Sequence, residues 1–360
     1  MRILALDQFS TLGGGQQCLL DVLPEFLTRG WRVYAGLPPG GPLPERVHAL
    51  GIEVHEIELG DYTRGRKTAG DAVRFAWELP RLASGIRRVI VTHGIDVLYV
   101  NGPRLLPAAA LGRRPIVFHV HSLLRASYAR MLAGLALRRD ALVIASSHFV
   151  ARPLAGTGVQ VVYNGVADVG QAKACATNAN TVGIVGRVSA EKGHPDFARA
   201  AALLPGCHWV AYGDHRPAGW PLEFRPWQDN IADIYAELDV LAVPSAPFEA
   251  TPRVIMEAFS AGVPVVAYPS GGIRELIESG VNGLLTEDRT PEALAGAIRS
   301  LVENPDLAAR LSRAAREGYE RRFTLDRYRR EVAGLVARMP TSAPAPERGR
   351  EAAPETAGPQ

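Results

Sequence analysis

Short apolar runs alternate with helix-length segments over nearly the whole of this 360-residue chain. RILAL (2–6), RVYAG (32–36), DVLYV (96–100), PIVFHV (115–120) and ALVIA (141–145) are brief and rich in β-branched residues or leucine, and amphipathic or alanine-rich stretches follow most of them. Runs without internal polar alternation belong to strands buried on both faces. The helices between them provide the crossovers that parallel pairing requires, so the pattern predicts parallel sheets covered by helices on each side. A second series of the same kind begins at TVGIVG (181–186) and continues through HWVAYG (208–213), DVLAVPS (239–245), VPVVAYP (263–269) and NGLLTE (282–287). Two doubly wound domains are therefore expected, with ligands lying beyond the carboxyl ends of their strands, in the cleft between them.

The joint falls in YNGVADVGQAKACATNAN (163–180), small and polar with little apolar periodicity. This sets a first domain over 1–165 and a second over 166–322. A final helix (323–339), with Thr324 as N-cap in TLDRYRREVAGLVARM, is expected to pack back on the first domain. A tail over 340–360, rich in proline, alanine and glutamate, is expected to be disordered. The opening MRILALDQFS is expected to be a strand and not a leader, and no run reaches the length of a membrane span. A net charge of +3 argues against nucleic acid as the main partner, and three dispersed cysteines suggest reduced thiols in a cytoplasm.

Three loops are suited to anions. LGGGQQCLLDVL (12–23) offers a glycine nest, and the residue pattern leaves two other readings open. One is a tight strand-to-helix turn. The other is a dinucleotide fingerprint, which is weak because Cys18 occupies the third glycine position. In IVGRVSAEKGHPDF (184–197), Arg187 and Lys192 flank a loop leaving the first strand of the second domain, where paired cations suit a diphosphate leaving group. In YPSGGIRELIESG (268–280), Gly271 and Gly272 precede a helix whose free amides would face the cleft, with a turn and a glycine N-cap as the competing reading. FEATPRVIMEAFSAGVPVVA (248–267) holds two glutamates. Thr251 and Pro252 read as a helix start, with Thr251 the N-cap, and Gly262 as its stop. That places Glu249 just ahead of the helix and Glu257 in its second turn among apolar neighbours. There a carboxylate needs hydrogen-bond donors, for which vicinal sugar hydroxyls are well suited. An exposed Arg253–Glu257 ion pair is the competing reading.

The two glutamates seven residues apart, with AGVPVVA and GG after them and GRVSAEKG, YNGV and GGGQQ before them, resemble the retaining nucleotide-sugar glycosyltransferases of family 4, which have the GT-B fold. The resemblance covers roughly residues 1–338 and is more specific in the second half. It implies that Glu257 holds the ribose, that Glu249 contacts the donor sugar, and that Arg187 and Lys192 clamp the diphosphate with amides near Gly272. It also implies that Gly14 and Gly15 face the donor from the other domain. Pro252 departs from the glycine common in the family and removes an amide from that loop. His119 and His121, two apart on a strand directed at the cleft, share one face. The family places a histidine there, and the register favours His121 as the one near sugar and acceptor; for each taken alone, a satisfied core histidine is the competing reading. Trp227 falls where the family recognises the base; stacking on it and core packing are both open.

The reading is a metal-independent, cofactor-free retaining transferase of polysaccharide or glycoconjugate synthesis, with a nucleoside diphosphate sugar as donor and an unidentified acceptor hydroxyl. A GT-B epimerase or phosphorylase, and a silent sugar-nucleotide-binding scaffold, are the rivals. LLRASYARMLAGLALRR (123–139) interleaves leucines with arginines. It suggests peripheral contact with anionic lipid on the inner face of a membrane, and with it a lipid-linked acceptor. An ordinary packed helix is the competing reading.

Overall fold

The computed structural model describes residues 1–60, 69–124, 134, 141–170, 180–217, 219–220, 222–228 and 230–341. Thirteen strands form two wholly parallel sheets among these residues. In the first sheet the strands are β1 (Arg2–Leu6), β2 (Arg32–Leu37), β3 (Glu53–Glu56), β4 (Val97–Val100), β5 (Ile116–Val120), β6 (Ala141–Ala145) and β7 (Gln160–Val161), in the order β3-β2-β1-β4-β5-β6-β7. In the second they are β8 (Thr181–Val185), β9 (His208–Gly213), β10 (Glu223–Pro226), β11 (Val240–Val243), β12 (Val265–Ala267) and β13 (Leu284–Leu285), in the order β10-β9-β8-β11-β12-β13. The strand order of each sheet reverses beside its first strand, giving switch points at β1/β4 and at β8/β11.

Every expected strand is present. The three that were not expected, β3, β7 and β10, share one cause. Each is an edge strand, half-buried or exposed along much of its length, so its composition is partly polar and the apolar signal is lost. The central strands are buried throughout or nearly so, and helices cover both faces of each sheet.

The C-terminal helix Leu325–Val336 begins at Thr324, whose hydroxyl caps it by accepting from the Arg327 amide. Its Tyr328, Val332, Ala333 and Val336 are buried against Leu19, Phe26 and Tyr99 of the first domain, so the chain returns to the domain it started in. The return is held by a backbone crossing. The Val166 amide donates to Phe323 O at 3.0 Å, and the Leu325 amide donates to Val166 O at 3.0 Å. Gly165 lies against this crossing so closely that a Cβ there would sit 2.4 Å from Thr324 O.

The tail beyond residue 341, Cys175 and most of the basic stretch 123–139 lie outside the described residues. Cys18 and Cys207 are free thiols. No described helix is long and apolar enough to cross a membrane.

Gly165→Ala should therefore pry the C-terminal helix from the first domain. A loss of about 1–3 kcal/mol in urea unfolding is expected, together with faster amide exchange across 325–336. An unchanged midpoint would mean the crossing relaxes freely.

Candidate functional site

Residues that leave a parallel strand at its carboxyl end beside a switch point are held by the sheet but face open space. In the first domain those positions are Asp7 after β1 and Asn101 after β4, with His121 after β5, and they form one network. Asn101 Nδ2 donates to Asp7 Oδ2 at 2.6 Å and to the Gly15 carbonyl at 3.0 Å. With the amide nitrogen thus committed, Asn101 Oδ1 is the atom that faces His121 Nε2, 2.8 Å away. The imidazole must therefore carry its proton on Nε2, and Nδ1 becomes a bare acceptor. Nδ1 is buried and has no hydrogen-bond partner among the described residues. Burial and the nearby Arg253 guanidinium lower His121 to about 3, so the ring is neutral in ordinary buffers.

Asp7 is fully buried and also accepts from Gln16 Nε2 at 3.0 Å and from the Phe9 amide at 2.9 Å. Desolvation outweighs these bonds and raises its carboxyl to about 6. Gly15 comes to this cluster through the helix Gly14–Thr28, and a Cβ there would lie 3.5 Å from the His121 ring. A Cβ at Gly14 would meet nothing within 4 Å. His119 lies one layer deeper. It is buried, its Nδ1 is 2.5 Å from the Tyr99 hydroxyl, and its ring centroid is 4.1 Å from that of His121. Burial holds its basicity well below the ordinary imidazole range.

In the second domain, Lys192 and Glu249 come from loops 57 residues apart in sequence and form an ion pair of 2.7 Å. Close backbone approaches place them. Gly193 takes a left-handed conformation, and a Cβ there would collide with Pro244 O. The Ala246 amide donates to Glu191 O, tying the two loops together. On the far side of the Glu249 loop, a Cβ at Gly271 or Gly272 would lie 2.0 Å from Glu249 O or 1.8 Å from Ala250 O. The glycine pair is thus the bed on which the Glu249 backbone rests. The Gly272 amide is not free, since it donates to Glu249 O at 3.0 Å, and the helix that follows, Ile273–Leu276, is a single turn. Arg187, after β8, is exposed and makes no ion pair among the described residues. Trp227, just after β10, is also exposed, which rules out core packing for it.

Glu257 lies where the two domains meet, on the helix Arg253–Ala261. Its Oε2 accepts from the buried Tyr235 hydroxyl at 2.9 Å, and desolvation raises its carboxyl. Two expectations are corrected here. First, the Arg253–Glu257 pair is not a surface pair. Arg253 is largely buried and reaches across to Asp21 Oδ2 at 2.7 Å and the Gly165 carbonyl at 3.1 Å, while its Nε stays 3.8 Å from Glu257 Oε1. Second, Thr251 does not cap the helix. Pro252 occupies that position without a side-chain cap, and Thr251 Oγ1 instead donates to Ser146 Oγ of the first domain at 2.8 Å. The short helix His148–Ala151 of the first domain has its own cap in Ser147, and its His148 and Phe149 amides also donate across the junction to Glu275 at 2.8 and 2.6 Å.

Sequence reasoning missed Asp7, Asn101, Gln16 and Asp21. For the first two a signal was available: each is a polar residue directly after an apolar central strand, at the end facing the cleft. Gln16 and Asp21 sit on a helix among apolar residues, and nothing in their spacing separates them from a solvated face.

Residues 179–304 match the family described as glycosyl transferases group 1, and residues 12–168 match glycosyltransferase family 4. A lipopolysaccharide core biosynthesis glycosyltransferase of Rhizobium meliloti is 29% identical over 168 residues, covering 43% of this chain and 49% of that protein. A D-inositol 3-phosphate glycosyltransferase of Mycolicibacterium vanbaalenii is 32% identical over 169 residues, covering 38% of this chain and 36% of that protein. The chain thus spans about half or less of these relatives' length. The crystal structure of Anabaena HepE in complex with UDP and glucose superposes with a TM-score of 0.78 at 26% identity, over 94% of this chain and 100% of that one.

The raised Asp7 carboxyl sets a pH signature. Its folded pKa of about 6 exceeds the ordinary 3.8, so the folded state binds the proton more tightly than the unfolded state does. The associated stability is full below about pH 4 and is lost as pH rises through 6. Relative to Asp7→Asn, the wild type should lose about 3 kcal/mol between those limits and no more above them. Urea unfolding of both proteins across that range measures it; a constant difference would show that Asp7 titrates normally.

Proposed function

Because this chain belongs to the family 4 glycosyltransferases of the GT-B fold, we propose that it moves a sugar from a nucleoside diphosphate sugar to an acceptor hydroxyl with retention of the anomeric configuration. The observation that carries the reading is the Lys192–Glu249 pair. An ammonium and a carboxylate held side by side beyond the strand ends of one domain offer what a sugar diphosphate presents together, an anion and a set of hydroxyls. The crystal structures of HepE hold UDP with glucose, or UDP-glucose, and a uridine diphosphate hexose is the proposed donor. The names of the lipopolysaccharide and inositol-phosphate relatives favour an acceptor in glycoconjugate or polysaccharide synthesis.

In this reading Arg187 and Lys192 neutralise the charge that grows on the leaving diphosphate, so the step needs no metal. Glu249 orients the sugar once the phosphate engages Lys192. Glu257 accepts from the ribose hydroxyls with the lone pairs that Tyr235 leaves open, and Trp227 lies on the side of the base. His121 offers Nδ1 to a hydroxyl of sugar or acceptor. Localisation on the inner face of a membrane, with a lipid-linked acceptor, rests only on the basic stretch 123–139. Slow release of free sugar from the donor separates a transferase from a silent binding scaffold.

The two glutamates divide the test. Glu257→Gln should weaken UDP and the UDP-sugar alike, by roughly ten- to a hundredfold, the loss of one charge-assisted hydrogen bond. Glu249→Gln should leave UDP binding nearly intact and lower turnover, because its contacts serve the sugar. Calorimetry with UDP on both variants, beside turnover, measures this. Equal weakening in both would reject the assignment of ends, and unchanged UDP binding in a folded Glu257→Gln would remove the ribose role.

A further inference from the structure

Glu53, His55 and His93 form a second cluster, on the outer edge of the first sheet and remote from the cleft. Glu53 and His55 are two apart on the edge strand β3 and therefore share a face. His93 is the last residue of the long helix Ala69–His93, which runs back antiparallel to the strands. Its C-terminus therefore lies toward the strand starts. In register, Glu53 sits opposite Tyr34, near the start of β2. The substrate cleft, by contrast, lies beyond the opposite ends of the strands.

The three side chains converge. His55 Nε2 is 3.4 Å and His93 Nε2 is 3.8 Å from Glu53 Oε1, and all three atoms lie within 4.8 Å of one another. We propose that Glu53, His55 and His93 bind a divalent late transition-metal ion of the zinc type, a structural clip tying the edge strand β3 to the end of the Ala69–His93 helix.

Three observations carry it. Bonds of about 2.0–2.1 Å to a tetrahedral ion put neighbouring ligand atoms roughly 3.3 Å apart, so the separations of 3.4 and 3.8 Å from Glu53 need only small closure, and the widest spacing in the group, up to 4.8 Å, closes by a side-chain turn of one histidine. His55 Nε2 is buried with no hydrogen-bond partner among the described residues, although Glu53 Oε1 lies 3.4 Å away. The rings are also pre-set, with the Tyr34 ring 4.2 Å from that of His93 and 6.2 Å from that of His55, limiting their rotation. Two imidazole nitrogens and one carboxylate suit zinc better than calcium or magnesium, which favour all-oxygen shells. Glu53 is more than half exposed, which leaves the fourth position to water. The ion would close the chain loop between His55 and His93 and hold an edge strand that pairs on one side only.

The test uses the full chain without an affinity tag, stripped by a chelator. Titrated with zinc in a calorimeter, it should bind one equivalent and melt at a higher temperature. Cobalt should give the intense visible bands of a four-coordinate ion. His93→Gln, or His55→Gln if the first is poorly folded, should weaken zinc roughly tenfold or more and abolish the melting shift. Donor turnover should be the same in stripped and loaded wild type. Absence of a stoichiometric zinc isotherm would overturn the proposal, as would equal affinity in wild type and a folded histidine variant. Either result would reduce the cluster to a glutamate paired with two histidines.

Discussion

One guanidinium, that of Arg253, sits where the two domains, the glycine-rich helix and the buried glutamate all meet. It is ion-paired to Asp21 of the first domain at 2.7 Å and lies 3.8 Å from Glu257 on its own helix. Two carboxylates drawn out of water need such a charge, since the interior screens neither of them, and the same charge would be destabilising without them. Its field extends to His121, where it adds to burial in keeping the imidazole neutral. The Cys18 thiol, 3.8 Å from Arg253 Nη1, stays protonated all the same, pushed up to about 11 because its desolvation exceeds the attraction of the cation. Docking of the domains, the charge on Glu257 and the protonation of His121 thus share one residue, although burial is the larger influence on both titrating groups.

Around that junction the site is built mainly from backbone meeting backbone. Gly193 against Pro244, and Gly271 and Gly272 against Glu249 and Ala250, are approaches no side chain would permit. They fix the loops after β8 and β11 relative to each other, and the Lys192–Glu249 pair follows from that fixing. A long flexible lysine gains little from an exposed carboxylate in water. Here the carboxylate is largely shielded and its backbone is held on both sides, so the backbone share of the ordering entropy is already spent in the fold.

The two sheets could be read from the sequence because central parallel strands are buried on both faces and their composition shows it. Edge strands such as EVHE and EFRP could not, because half their surface meets water. Among site residues, Lys192, Glu249 and Glu257 stood out through a spaced pattern of charges in apolar or glycine-rich surroundings. Arg253 was legible as a charge but not as a junction, since helical spacing alone pairs it with Glu257 four residues on. That its stronger partner is Asp21 depends on the second domain meeting the first, which no local pattern records. The place of Gly272 was hidden for a similar reason. GG ahead of a helix signals open amides as readily as it signals a chain crossing, and only the position of residues 249–250 separates the two.

The His121 network narrows the chemistry of the proposed reaction. A ring with a pKa of about 3, its Nε2 proton committed to Asn101, is too weak a base to hold a proton taken from an alcohol, though Nδ1 can still accept a hydrogen bond. Asp7 is basic enough, but its two oxygens are enclosed by Asn101, Gln16 and the Phe9 amide. Glu249 is engaged by Lys192 on one oxygen. In the proposed transfer, the oxygen of the departing diphosphate is then the base best placed to receive the acceptor proton. It gains negative charge as the glycosidic bond breaks, and the proposed retention requires the acceptor to arrive on the face from which it leaves. The role left for His121 under that proposal is orientation: its bare Nδ1 would align a hydroxyl without competing for its proton.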